Sequence, residues 1–154
     1  MEQPPQTLRV LLLPYRGGQA LLPNSAIVEI LPFATPLPVE GAAPWVLGTL
    51  LWRARTIPLV CLERLMGQEP GAPGSRARIV VLNALGSNPR LPNYGFLTAD
   101  APRPLNLERS AIVPDASHAP PVPGVLSRVR VNDQPAVIPD LDDIEGDLGR
   151  LRRP

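Results

Sequence analysis

A chain of 154 residues and 16.6 kDa is one domain or two small, closely joined ones. Its 22 Pro and 12 Gly raise the question of disorder, but Leu, Ile, Val and Phe make up about 30% of the residues and the net charge is only +1, so the chain folds with many turns. All 15 basic residues are Arg, scattered among 14 acids at a pI near 8.0, which excludes the basic patch of a nucleic-acid binder.

No apolar stretch approaches the ~20 residues of a membrane helix. The start, Met1-Glu2-Gln3-Pro4-Pro5, lacks the basic and apolar regions of a signal peptide, and the single cysteine permits no internal disulfide. A cytoplasmic protein is expected.

The apolar runs are short and bounded by turn residues, as strands are. Val10–Leu13 leads through Arg16-Gly17-Gly18-Gln19, a hairpin signal, to Ala20–Leu22. Val46–Trp52 turns through Arg53-Ala54-Arg55 into Thr56–Leu62, and Val125–Val131 turns at Asn132-Asp133. Arg128-Val129-Arg130-Val131 has the period of two of a strand with one wet face. Helix is limited to a turn at Glu63–Met66, ended by Gly67, and a longer piece at Asp142–Leu148. Prolines at 32, 36, 38 and 44, and at 114, 120, 121 and 123, forbid a continuous helix between these elements.

An internal repeat organises these elements. Arg9-Val10-Leu11-Leu12-Leu13 is echoed by Arg78-Ile79-Val80-Val81-Leu82. Leu22 to Val28 and Leu107 to Val113 share L-x-x-S-A-I-V. Pro44 to Gly67 then aligns without a gap on Pro123 to Gly146, with identity at Pro44/Pro123, Val46/Val125, Leu47/Leu126, Leu62/Leu141 and Gly67/Gly146. The halves span about 8–67 and 77–146, joined by a Pro- and Gly-rich connector over 68–76. About five short strands per half predict an all-β protein of two pseudo-symmetric small barrels with little helix.

Chemistry is sparse. His118, the only histidine, lies in the loop Ala116-Ser117-His118-Ala119-Pro120; a solvated loop residue is the plain reading and a catalytic base the alternative. Cys61 sits inside an apolar strand, where a small core residue is the plain reading and a nucleophile the alternative. One Cys and one His do not make a zinc site. Asp140, Asp142, Asp143 and Glu145 lack the spacing of a calcium loop and read as a solvated strand-to-helix exit. Neither Gly17-Gly18 nor Gly71-x-x-Gly74 follows the phosphate-loop pattern. No catalytic, cofactor-binding or metal residue is assigned. Trp52-Arg53-Ala54-Arg55, by contrast, puts two residue types frequent at interface hot spots on one hairpin tip.

This stretch resembles the CheW family of chemotaxis coupling proteins. The family pattern W-[VI]-x-G-x-[IL]-x-L-R-G-x-x-x-P-x-x-D-L-x-x-x-x-G is met at Trp45, Val46, Gly48, Leu50, Arg53, Pro58, Leu62 and Gly67. Upstream, Leu22-Pro23-x-x-Ala26-Ile27-Val28-Glu29-Ile30 is similar to the family's L-P-x-x-x-V-x-E-V, and Val137-Ile138-Pro139-Asp140-Leu141 to its closing strand. Three positions depart from it: Trp52 stands for Leu, Ala54 for Gly and Cys61 for Asp.

The resemblance implies two five-stranded Src-homology-3-like subdomains and a non-catalytic adaptor. Its partners would be a CheA-type histidine kinase's regulatory domain and the cytoplasmic tip of a chemoreceptor. By motif match, Arg53 is the contact residue, with Val46, Leu47, Leu50 and Trp52 beside it. The departures suggest a divergent member, of the kind found in chemosensory systems governing type IV pili and twitching motility. Two other readings remain open: a β-barrel binding module outside chemosensing, and a thiol enzyme using Cys61 with His118.

Overall fold

The computed structural model describes residues 7–86, 88–116 and 120–151. It contains eleven strands and two helices in this order: β1 (Thr7–Tyr15), β2 (Gly18–Pro23), β3 (Ile27–Pro32), β4 (Val46–Trp52), β5 (Arg55–Val60), α1 (Leu62–Leu65), β6 (Arg78–Asn83), β7 (Asn93–Thr98), β8 (Arg103–Glu108), β9 (Ile112–Pro114), β10 (Val125–Val131), β11 (Gln134–Pro139) and α2 (Leu141–Leu148). The all-β expectation holds, as do the hairpins predicted at Gly17, Arg53-Ala54 and Asn132-Asp133.

The 24-residue repeat is visible in the geometry. In β4–β5, Val46 pairs with Val60 and Gly48 with Leu59, with a bulge between. In β10–β11, Val125 pairs with Pro139 and Ser127 with Ile138, with the same bulge. Both hairpins close through two residues of positive φ, Arg53 (48°) with Ala54 (61°) and Asn132 (49°) with Asp133 (66°). Left-handed φ at both central residues matches the right-handed twist of the flanking strands. Ala54, where the family pattern has Gly, therefore keeps the tip's shape despite its Cβ.

The strands form two open sheets rather than closed barrels, ordered β8-β1-β2-β11-β10-β9 and β3-β6-β7-β5-β4. Three of the four margins carry proline. Pro104 lies in β8, Pro114 ends β9 and Pro32 ends β3; proline brings no N–H to a ladder and belongs on sheet edges. The sheets also cut across the sequence halves. β1 and β2 join the second half's β8 to β11, while β6 and β7 join the first half's β3 to β5.

This exchange produces three apolar cores. In β1, Val10 and Leu12 face a core built from the first sheet alone, while Leu11 and Leu13 face a core shared by both sheets. In β6, Ile79 and Val81 face the second sheet's own core, while Val80 and Leu82 face the shared one. Strands buried on both faces read as unbroken apolar runs, which is why the two runs first noticed in the sequence, Val10–Leu13 and Arg78–Leu82, carry no polar alternation.

Helix α2 seals the shared core. Asp140 caps it by accepting a hydrogen bond from the Asp143 N–H at 3.2 Å, and Leu141, Ile144 and Leu148 point inward. Glu145 shares that inward face by its i, i+4 spacing from Leu141. It is 8% exposed, so the solvated acidic exit expected of this cluster is corrected at this position. Its carboxylate accepts from the Tyr94 hydroxyl (2.8 Å) and from the N–H groups of Leu85 (3.0 Å) and Gly86 (2.9 Å). The helix is thereby bolted to the β6–β7 connection.

Burial, and then the hydrogen bond and negative charge of Glu145, push the Tyr94 hydroxyl far above its ordinary value of 10.0. A group whose pKa is raised by folding gives its stabilisation fully below the unfolded pKa and loses it as pH rises beyond. Melting temperature is therefore expected to fall above about pH 10, and a Tyr94→Phe variant should lose this part of the decline. A thermal series from pH 8 to 11 checks it; equal slopes for both proteins would disprove the linkage.

Candidate functional site

The hairpin tip joining β4 to β5 carries a polar cluster built from Trp52, Arg53 and Glu29. Trp52 is pulled into the second sheet's core and is 8% exposed, because alternation along β4 places positions 50 and 52 inward. Its indole N–H donates to Glu29 Oε1 at 3.1 Å. Arg53, the next residue, turns outward and stacks its guanidinium over the same indole, 4.6 Å from the ring centroid. Its Nη2 also donates to Glu29 Oε1, at 3.1 Å. Glu29 comes from β3, at the opposite margin of the same sheet.

One carboxylate oxygen thus holds both residues in place. The Arg53 side chain is still 62% exposed, and a guanidinium has five N–H donors in a planar fork. Most of them remain directed at solvent. The tip presents a pre-oriented cation able to take a carboxylate bidentately, with little rotamer freedom left to lose on binding.

The other expected contact residues are separated by the fold. Val46, at the far end of β4, is buried in the core shared by the two sheets. Leu47 and Leu50 are partly buried against the Trp52 core. Two residues that composition and motif spacing did not single out belong to the site. Glu29 was visible within the upstream motif, but nothing local revealed its contact with Arg53. Leu51, between Leu50 and Trp52, is among the described residues the most exposed large apolar one at 81%.

Cys61 is fully buried, and burial is the main cause that pushes its thiol pKa up, the opposite of what a nucleophile needs. It stands at the N-cap of α1 and makes no capping hydrogen bond with its side chain. Asp140, its counterpart in the repeat, does cap α2. The family's Asp at this position thus has a visible role in one half and not in the other, and α1 is four residues long against eight for α2. His118 lies outside the described residues. Among the described residues no group of His, Cys, Asp and Glu is placed to hold a metal ion, and no helix is long and apolar enough to cross a membrane.

The chain thus combines two open sheets of β class with an arginine-tipped hairpin. A model of the CheW-like domain matches residues 9–147, and the chain belongs to that family. Among solved structures, the fold is similar to that of the scaffolding protein TtCheW from Thermoanaerobacter tengcongensis. The TM-score is 0.73 at 13% identity, over 92% of this chain and 89% of that one. At that identity the likeness is one of fold. Comparison with curated proteins finds no match.

Proposed function

We propose that this protein is a non-catalytic adaptor of bacterial chemosensory signalling, coupling the cytoplasmic tip of a chemoreceptor to the regulatory domain of a CheA-type histidine kinase. Family membership supports the class of role, and the tip carries the assignment of residues. Arg53 is exposed, pre-oriented by Glu29 and Trp52, and free to make further hydrogen bonds. Leu47 and Leu50 pack against the core that holds Trp52, and Trp52 and Val46 act from inside by fixing the position of β4. Such a protein works in the cytoplasm and is recruited to membrane-associated receptor arrays through its partners. The departures at Trp52, Ala54 and Cys61 favour a specialised system of the type IV pilus and twitching kind.

Titration of the purified protein against a kinase regulatory domain and against a receptor's cytoplasmic hairpin tests this. Arg53→Glu is expected to weaken binding to at least one of them about tenfold or more, the effect of losing an interface hot spot. Its melting temperature should change little, because exposed ion pairs contribute only about 0–1 kcal/mol to stability. Whether a pilus-type or a flagellar-type kinase binds decides the system. A folded protein that binds neither partner would sink the adaptor reading.

A further inference from the structure

The two copies of the repeated hairpin differ in what lies along their outer edge. In the second copy, β9 covers β10: Arg130 pairs with Val113 and Val131 with Ile112. The ladder is extended by the Asp115 N–H donating to the Arg128 carbonyl (3.0 Å) and the Asn132 N–H donating to the Ala111 carbonyl (3.2 Å). Arg128, Arg130 and Asn132 therefore direct their backbone groups away from β11, as alternate residues of an antiparallel strand must.

Their counterparts in the first copy are Thr49, Leu51 and Arg53. Thr49 is covered, exchanging hydrogen bonds of 2.8 and 2.9 Å with Leu37. The covering strand then fails. In the same register Thr35 would face Leu51, but the two exchange no backbone hydrogen bond. Among the described residues the outward N–H and C=O of Leu51 and the N–H of Arg53 have no backbone partner. The Leu51 side chain above them is 81% exposed, and Leu37, its neighbour on the covering segment, is 73% exposed. Strand edges of this kind are usually blunted by charge, proline or cover. Here the strand position that is Arg in the covered copy, Arg130, is Leu in the open one.

We propose that the edge of β4 at Leu51–Arg53 is a docking site for a short extended apolar segment of a partner protein, which adds to the second sheet as an antiparallel strand. The second copy shows the chemistry of the occupant: a run of small and β-branched residues such as Ala111-Ile112-Val113. Strand addition draws affinity from main-chain hydrogen bonds and selectivity from the alternate side chains. A second copy of this chain fits poorly. A symmetric β4–β4 pairing centred on Leu51 would bring Arg53 of each copy against Thr49 of the other, whose edge Leu37 already occupies. The site accordingly suits a segment of two or three residues entering from the hairpin tip. The inference does not depend on the chemosensory assignment.

The test uses a synthetic peptide of this chain's own residues 109–115 as the probe, titrated into the isotope-labelled full chain and followed by amide NMR shifts. Saturable shifts at the Leu51 and Arg53 amides, with a dissociation constant on the order of 1 mM or tighter, are expected. Leu51→Pro removes one outward N–H at an edge position that tolerates proline. It should weaken binding about tenfold with the melting temperature unchanged. A peptide methylated on the nitrogen of its Val113 position should bind equally poorly to the native chain, a readout that holds even if the Leu51 variant does not fold. Shifts confined to Arg130 and its neighbours, no shift at Leu51, or undiminished binding of the methylated peptide would each overturn the proposal. So would self-association that Leu51→Pro dissolves, because the occupant would then be a second copy.

Discussion

Replacing Glu145 by alanine is expected to destabilise the protein by about 3 kcal/mol, among the largest effects of any single polar substitution in this fold. Three donors converge on its carboxylate: the Tyr94 hydroxyl and the N–H groups of Leu85 and Gly86. Tyr94 is fully buried, so its hydroxyl has no water to turn to. An orphaned buried donor costs about 1–3 kcal/mol, whereas the two loop amides, closer to the surface, recover part of their loss from solvent. Thermal unfolding should show a drop of about 10 °C in Tm for a chain of this length. Glu145→Gln is the informative partner. It preserves volume and one acceptor but directs an NH2 group at a donor, so most of the loss should persist. A Gln variant as stable as the native chain would mean that packing of α2, and not this three-way acceptance, holds the helix down.

The second large effect is expected at Gly48. This residue sits in the bulge of β4 with φ of +143°, a conformation that side chains rarely adopt. An added Cβ would lie 2.1 Å from the Leu37 carbonyl oxygen and 2.6 Å from its carbon, both backbone atoms. Alanine can enter only if the segment carrying Leu37 withdraws, which breaks the two hydrogen bonds to Thr49. A cost of about 3 kcal/mol follows from strain and lost pairing together. The repeat supplies the control. Ser127 occupies the same bulge position in β10, and Ser127→Ala should change stability by less than about 1 kcal/mol. Denaturant titration of the two variants compares them directly; similar midpoints would show that the close approach of Leu37 does not decide the role of Gly48.

These positions show how far the sequence could be read. The duplicated hairpins were legible because their information is local: alternation, turn residues and a gap-free alignment from Pro44 to Gly67 pointed to the strands and turns of both copies, whereas the bulge that both share appears only in the structure. The partners of those hairpins were not legible. Alternation states which residues are buried and not which strand buries them, so the exchange of β1 and β2 into the second half's sheet left no local trace. The shared L-x-x-S-A-I-V was even misleading. Both copies form a strand, a 3-10 turn and a second strand. Yet Leu22 lies in β2, interior to its sheet between β1 and β11, whereas Leu107 lies in β8 at an edge. β7 takes the place that β2 holds in the other sheet, and the second half's additional strand is β9, where the first half has only the bridge at Leu37. At the candidate site, Arg53 was legible from its motif, but Val46 and Trp52 could not be told from surface residues. Leu51 was hidden for a similar reason: its exposure follows from alternation, whereas its open edge depends on a segment about fifteen residues upstream pairing with β4 at Leu37 and no further.

The exchange of strands between halves also bears on how the chain comes to be folded. Thr7 finds its partner at Glu108 and Ala20 finds its partner at Val137, so the first strands made are among the last to be fully paired. At about 5–20 residues per second, synthesis takes on the order of ten seconds, during which the β1–β2 hairpin waits with both edges open. Contacts this distant in sequence also slow the final search. Neither half has a complete sheet of its own to fall back on. Severing the chain within the 68–76 connector after folding would leave every strand pair intact, whereas the same two pieces made separately would each lack the neighbours they need.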